Sequence, residues 1–266
     1  MNIKQFAKKK LVKNGLYYKL KYSALFEIYQ RLFKPAVIKQ HKKEVNLYSR
    51  ILGKCNLIFD IGANDGHKTA AFLELSKHVV SCEPDSLNYQ ILKTRFRDDK
   101  RVDVLNLAVF NAIGELTLHR NGEGSAFNTL NKQWIEILEK DNEERWNEKI
   151  VFDDQLSIDV KTTTLDDLIN KFGKPDFIKI DVEGSELEVL EGLSNKVAAI
   201  SFECLVPEFL EQAIRILDIL RRFDDNYQFN VIYDEDLLFP NHVGYEGILN
   251  WLKTTDLFAF DLLVIT

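Results

Sequence analysis

The chain predicts an α/β fold built on a mostly parallel sheet, and three observations carry that expectation. The first is the stretch Asn56 to Gly66, NLIFDIGANDG, which reads as a buried strand, a tight glycine turn and a helix start. The second is the apolar run Val79-Val80-Ser81-Cys82, which ends in Glu83, seventeen residues past Gly66. The third is the alternation of short apolar runs with helical patterns that follows, broken once and then resumed. At 266 residues the length suits one sizeable α/β domain with additions, and is too short for two full ones.

Residues 1–50 precede the first strand and form a basic arm. Phe6, Leu11, Leu16, Leu20, Leu25, Ile28 and Leu32 fall at helical spacing between lysines. One or two amphipathic helices are expected, broken near Asn14-Gly15 and stopped at Pro35. Residues 1–43 hold twelve Lys or Arg against Glu27 alone, about +11, which leaves the remainder near −17 within a net charge of −6. The arm can pack on the acidic body, rest on an anionic membrane surface, or serve in oligomer contact or in binding an anionic substrate. The acidic body carries no nucleic-acid footprint.

The expected main domain, residues 51–266, opens with the strand that ends at Asp60 and Ile61. Gly62 and Gly66 let backbone N–H groups approach a ligand, and the following helix start favours an anionic group. Glu83, about 20 residues on, is placed to accept hydrogen bonds from both hydroxyls of a ribose. Asp85 caps the next helix, which runs to about Arg97, and Val102 to Leu107 is a third strand leading into Ala108-Val109. Residues 111–161 then lapse from the pattern. Glu115 to His119 alternates as a strand, and a charged helical stretch surrounds Trp134 to Trp146, so this insertion is expected to be a hairpin plus a mobile substrate lid.

Regularity returns with Val160 to Thr163, a helix capped by Thr164, and the strand Asp176 to Asp181, DFIKID. Phe177, Lys179 and Asp181 share one face of that strand, Ile178 and Ile180 the other. A lysine and an aspartate on a central strand line a cleft or pair with each other. Val197 to Phe202 is the fifth parallel strand, ended by Glu203, and Pro207 starts a long helix to about Phe223. Tyr227 to Tyr233 and Leu257 to Ile265 supply the last two strands, with a loop including Pro240, Asn241 and His242 over the active face. Cys55, Cys82 and Cys204 read as reduced, buried thiols of a cytoplasmic protein. No secretory signal and no stretch of 18 apolar residues is present, so the expected localisation is cytoplasmic, with peripheral contact at the inner membrane surface open to the basic arm.

The glycine pattern Asp60-x-Gly62-Ala63-Asn64-x-Gly66 departs from the G-x-G-x-x-G of dinucleotide sites. Its D-x-G-A-N-x-G form, together with Lys179-Ile180-Asp181-Val182-Glu183-Gly184-Ser185-Glu186, resembles the FkbM-type S-adenosylmethionine-dependent methyltransferase family over roughly Leu57 to Leu193. That resemblance implies a Rossmann-like class I methyltransferase sheet, mostly parallel and seven-stranded with an antiparallel last strand, behind an N-terminal helical arm. It implies S-adenosylmethionine as cofactor, held by Asp60, Gly62, Ala63, Asn64, Gly66, Glu83, Ala108 and Val109, with Asn106 a further candidate at the adenine. It also implies a small-molecule or glycan acceptor.

Methyl transfer from a sulfonium needs an aligned nucleophile, exclusion of water and, for a hydroxyl acceptor, a proton acceptor. Asp181 is the expected base, with Lys179 tuning its charge or holding substrate oxygen, and Glu203 is the second choice. Glu183 lies beside them; the ligand set for a divalent cation is incomplete, so no metal is expected. His67 and His242 are alternative bases. O-methylation of a sugar hydroxyl on a glycan or glycolipid is the leading expectation. An RNA methyltransferase using the basic arm, and a non-catalytic cofactor-binding or scaffold protein, are the alternatives.

Overall fold

In the computed structural model, which describes residues 35–140 and 150–266, the first element is a helix, α1 (Pro35–Leu52). Pro35 stands at the first position of α1, as suits a residue with no N–H to leave unpaired in a first turn. The helices expected before it lie outside the described residues.

Beyond α1 the alternation is as expected: β1 (Cys55–Ile61), α2 (His67–Phe72), β2 (Ser76–Cys82), α3 (Ser86–Arg95) and β3 (Val102–Leu105). Asp85 caps α3 by accepting from the N–H groups of Leu87 and Asn88. Next come β4 (Ala108–Val109), β5 (Gly114–Leu118), α4 (Lys132–Lys140), β6 (Ile158–Thr163), α5 (Leu165–Phe172), β7 (Phe177–Ile180) and α6 (Glu186–Glu191). The chain closes with β8 (Ala199–Leu205), α7 (Leu210–Phe223), β9 (Gln228–Tyr233), β10 (Asp236–Leu237), α8 (Tyr245–Leu252) and β11 (Ala259–Ile265).

The main sheet has the order β10-β9-β11-β8-β7-β1-β2-β3. Strands β3, β2, β1, β7 and β8 run parallel, and β11 is antiparallel to both β8 and β9. The sheet holds eight strands, one more than expected, because the chain turns at Asp234-Glu235 and adds the two-residue β10 antiparallel to β9.

Alternation along the strands buries both faces. Phe59, Ile61, Ile178, Ile180 and Phe202 pack under α5, α6, α7 and α8, while Ile58, Val79 and Phe177 meet Leu47 and Tyr48 of α1 and Phe72 of α2. The rings of Tyr48 and Phe72 meet edge to face, 5.0 Å between centroids. Cys55, Cys82 and Cys204 are free and buried in these layers. Among the described residues no helix is long and apolar enough to cross a membrane.

Two expectations about loops are corrected. In the insertion, β5 pairs antiparallel with β6, and β4 joins β6 in parallel, making a second three-stranded sheet. Trp134 and Leu138 of α4 are buried against Leu205 and Phe209, so the described part is a packed wall and not a free lid. The segment after β10 does not cover the carboxyl ends of the strands. It doubles back along β9, with Val243 and Phe229 exchanging backbone hydrogen bonds and His242 Nδ1 beside Asn230 Nδ2 at 3.3 Å. His242 thus sits at the amino-terminal half of β9, away from the chemistry.

Candidate active site

A cavity of about 190 Å³ opens at the carboxyl ends of β1, β2 and β7. Crevices at this edge of a parallel sheet are where ligands bind in open α/β folds. Gly62, Asn64 and Glu83, Ala108 and Val109, and Asp181 and Glu183 all line it. The insertion closes it with Leu118, Ser125, Asn128 and Leu130.

Glu83 is held where the sequence puts it. Its Oε2 accepts from Asn64 N–H at 2.8 Å and its Oε1 from Asp85 N–H at 2.8 Å, which fixes the carboxylate against the glycine turn. Burial pushes its pKa up to about 7, although those two backbone donors work the other way. Asn106 lies behind it, its Nδ2 donating to the carbonyls of Glu83 and Pro84 at 2.9 Å each.

The turn itself is self-satisfied. Gly62 and Ala63 N–H both donate to Cys82 O at 3.0 Å, Asn64 N–H is taken by Glu83, and Gly66 N–H donates to Ala63 O at 2.8 Å. The expected row of backbone donors for an anion is therefore occupied by the protein. What requires glycine at 62 is contact: with φ at +81°, an added Cβ would lie 1.8 Å from the carbonyl oxygen of Asp181.

Asp60, Ala63 and Gly66 do not line the cavity. Asp60 is buried in the sheet face under α2, accepting from Thr69 Oγ1 at 2.5 Å, with Lys179 and Ser81 as its register neighbours. Burial pushes it up to about 6, against the Thr69 hydrogen bond and the charge of Lys68. The sequence reading gave Asp60 and Glu83 matching roles; the strand's alternation turns Asp60 to the covered face and leaves only Glu83 at the cavity.

The second turn, after β7, gathers the charge. Lys179 is fully buried, its Nζ 3.0 Å from Asp261 Oδ1, 3.4 Å from Asp181 Oδ2 and within 3.1 Å of Ile180 O. Burial alone would lower its pKa, but Asp181 and Asp261 hold it well above its ordinary value, so the ammonium stays charged. Thus sealed, it is not placed to hold a substrate oxygen; it pairs with Asp181 and Asp261.

Glu183 and Gly184 both take positive φ, 58° and 94°. That conformation is held by Glu186, whose Oε1 accepts from Val182 and Gly184 N–H at 3.2 and 3.3 Å, and by Thr129 and Asn131 of the insertion, which donate to the carbonyls of Glu183 and Gly184. Glu203 does not end β8, which runs on to Leu205; it lies on the same face as Ser201, opposite Asp261. Carboxylate oxygens of Asp181, Glu183 and Glu203 all come within 4.8 Å of one another. Burial first, then Glu203 and Asp181, hold Glu183 well above the ordinary carboxylate range. Glu203 is raised in the same way by burial and Asp181, and its buried Oε2 accepts no hydrogen bond from the described residues. Three carboxylates so close need protons or a cation between them.

Sequence reasoning missed three supports of this arrangement. Asp261 holds Lys179, Glu186 shapes the turn, and Asn128 lines the cavity while donating to Asp85 at 3.2 Å. A charged residue amid the apolar run of β11 was the available signal for Asp261; Asn128 gave none, since only the folded insertion brings it there.

A mostly parallel sheet in this order, with β11 inserted antiparallel between β8 and β9 and a carboxylate following β2 beside a glycine turn, has the form of a class I methyltransferase sheet. The family model described as Methyltransferase FkbM domain matches residues 60–229, and the chain belongs to that family. No curated protein matches the chain significantly. Among solved structures, the methyltransferase FkbM from Methylobacillus flagellatus KT is 16% identical with a TM-score of 0.47, covering 79% of this chain and 43% of its own. The chain thus spans under half the length of that protein. The precorrin-6y C5,15-methyltransferase from Geobacter metallireducens GS-15 is 10% identical at a TM-score of 0.41, with coverage of 85% and 88%. The plantazolicin methyltransferase BpumL, solved with SAH, is 11% identical at a TM-score of 0.41, with both chains fully covered.

Proposed function

We propose that the chain methylates a hydroxyl oxygen, most naturally a sugar hydroxyl of a glycan, glycolipid or related small molecule. The cavity suits S-adenosylmethionine, the cofactor of this reading: it is lined by a carboxylate with free lone pairs at Glu83, by asparagine side chains, by apolar Ala108 and Val109, and by the carboxylates of Asp181 and Glu183. Glu83 would hold the ribose, Ala108 and Val109 the base, and Asp181 and Glu183 would stand by the methyl group. When bound, S-adenosylmethionine supplies an activated methyl group.

The observation that carries the oxygen acceptor is the Asp181, Glu183, Glu203 cluster beside buried Lys179. An oxygen nucleophile must lose a proton, and a carboxylate fixed by an ion pair at 3.4 Å is a suitable acceptor. Asp181 takes that proton, the Lys179 ammonium pairs with it at 3.4 Å, and Glu203 stands close by to share it. The excess negative charge of the body disfavours a polyphosphate acceptor such as RNA.

The test is a mass assay of methylation across neutral glycosides, phosphorylated sugars and oligoribonucleotides. A gain of one methyl on a neutral glycoside hydroxyl is the expected result. Methylation confined to oligoribonucleotides, with rates that fall steeply with salt, would replace this reading with the RNA one.

A further inference from the structure

A second group of ligating side chains lies where α1 meets the start of α2, outside the lining of the cavity, and the methyl-transfer reading does not use it. His41 and Glu44 are three residues apart on α1 and so share one face of it, and His67 is the first residue of α2. One ligating atom from each of the three lies within 4.8 Å of the other two.

Glu44 is the anomaly. It is only 5% exposed, and its Oε2 is buried and accepts no hydrogen bond from the described residues. A buried carboxylate oxygen left in that state is costly unless something positive meets it. His67 Nε2 faces Oε2 at 3.4 Å, outside hydrogen-bond geometry, and Lys68 Nζ approaches only the other oxygen, Oε1, at 3.7 Å. A separation of about 3.3 Å is the edge of a tetrahedron whose metal–ligand bonds are about 2.0–2.1 Å long. The pair is spaced as two ligands of one cation would be.

The third member is oriented as metal-binding imidazoles are. Glu74 Oε1 lies 2.7 Å from His41 Nε2, which leaves Nδ1 as the ligating atom and fixes the ring. The side chains of His41 and His67 are 27% and 44% exposed, so solvent can reach a fourth position. Two imidazoles and one carboxylate suit zinc better than the oxygen-preferring Mg²⁺ or Ca²⁺.

We propose that His41, Glu44 and His67 bind one Zn²⁺, which clamps α1 to α2 and so fastens the N-terminal helix to the sheet. The ligands stand on two elements 23 and 26 residues apart in sequence, which is why the sequence alone pointed to no metal.

Calorimetric titration of the chelator-stripped full chain with ZnCl₂ tests this, followed by Co²⁺ substitution read by visible absorption. One Zn²⁺ per chain is expected, with a raised melting temperature and a Co²⁺ spectrum of low coordination number. Glu44→Gln and His67→Ala should each weaken binding by at least about 100-fold, and Glu74→Gln by about 10- to 100-fold, while Asp181→Asn leaves it unchanged. Each variant is first shown to bind S-adenosylhomocysteine, so that misfolding is not mistaken for ligand loss; Glu74 is exposed and serves if Glu44→Gln fails to fold. Absence of Zn²⁺ binding by the folded chain would leave a simple His67–Glu44 ion pair and overturn the proposal. Binding that survives His67→Ala, or disappears in Asp181→Asn, overturns it too and moves the cation elsewhere.

Discussion

The two turns that carry the sequence motifs look alike on paper and differ in the fold. At the turn after β1, the N–H groups of Gly62, Ala63, Asn64 and Gly66 all find protein partners, and Asp60 is buried behind it on Thr69. Around the turn after β7, Asp181, Glu183 and Glu203 crowd within 4.8 Å, with one carboxylate oxygen that has no hydrogen-bond partner among the described residues. A satisfied turn shapes a cavity; an unsatisfied one is where chemistry is held in readiness.

If that contrast is right, the largest loss comes from the second turn. Asp181→Asn should lower turnover by about 10²- to 10⁴-fold, as removal of a proton acceptor does, while calorimetry shows cofactor affinity nearly intact. Unchanged turnover would shift the base to Glu203.

Glu83 sharpens the contrast at the first turn. Glu83→Ala should weaken S-adenosylhomocysteine binding by about 10- to 100-fold, because the ribose acceptor goes and the N–H groups of Asn64 and Asp85 lose their partner. Asp60→Asn, by contrast, should leave that affinity within a few-fold.

The effect of Asp60 lies in stability and its pH dependence. Its carboxyl is raised from 3.8 to about 6 on folding, and Glu83 and Glu186 from 4.5 to about 7. A raised carboxyl binds its proton more tightly in the folded chain, so this stability is full below the unfolded pKa and is lost as pH rises through the folded one. For Asp60 alone the change is on the order of 3 kcal/mol. Thermal melts of the cofactor-free chain should therefore fall between pH 4 and pH 7, and Asp60→Asn should make that fall shallower. An unaltered slope would show that Asp60 does not carry the shift.

The smallest effect is expected at His242, which sits against Asn230 and away from the cavity. Turnover of His242→Ala should match that of the parent chain in a direct comparison; a large loss would return the loop after β10 to the active face.

Much of this was legible in local sequence. The run into Gly62, the acidic end of β2 at Glu83, the Asp85 and Thr164 caps and the alternation of Phe177 to Asp181 are short-range signals, and the fold keeps them. Asp60 shows the limit of such reading: an acidic residue one step before the turn looks like a ligand contact, and only the strand's alternation against α2 shows which way it points. The His242 segment was misplaced for a related reason. A loop's direction depends on the strand it doubles back along. Lys179 needed Asp261, 82 residues on, before its burial made sense. The insertion needed Thr129 and Asn131 to reach the β7 turn before it became a wall.

The most direct test of the account is a crystal structure with S-adenosylhomocysteine bound. The account predicts the ribose hydroxyls on Glu83, the base beside Ala108 and Val109, and the sulfur turned toward Asp181. A nucleoside seated on Asp60, or anywhere outside the cavity between Glu83 and Asp181, would contradict it.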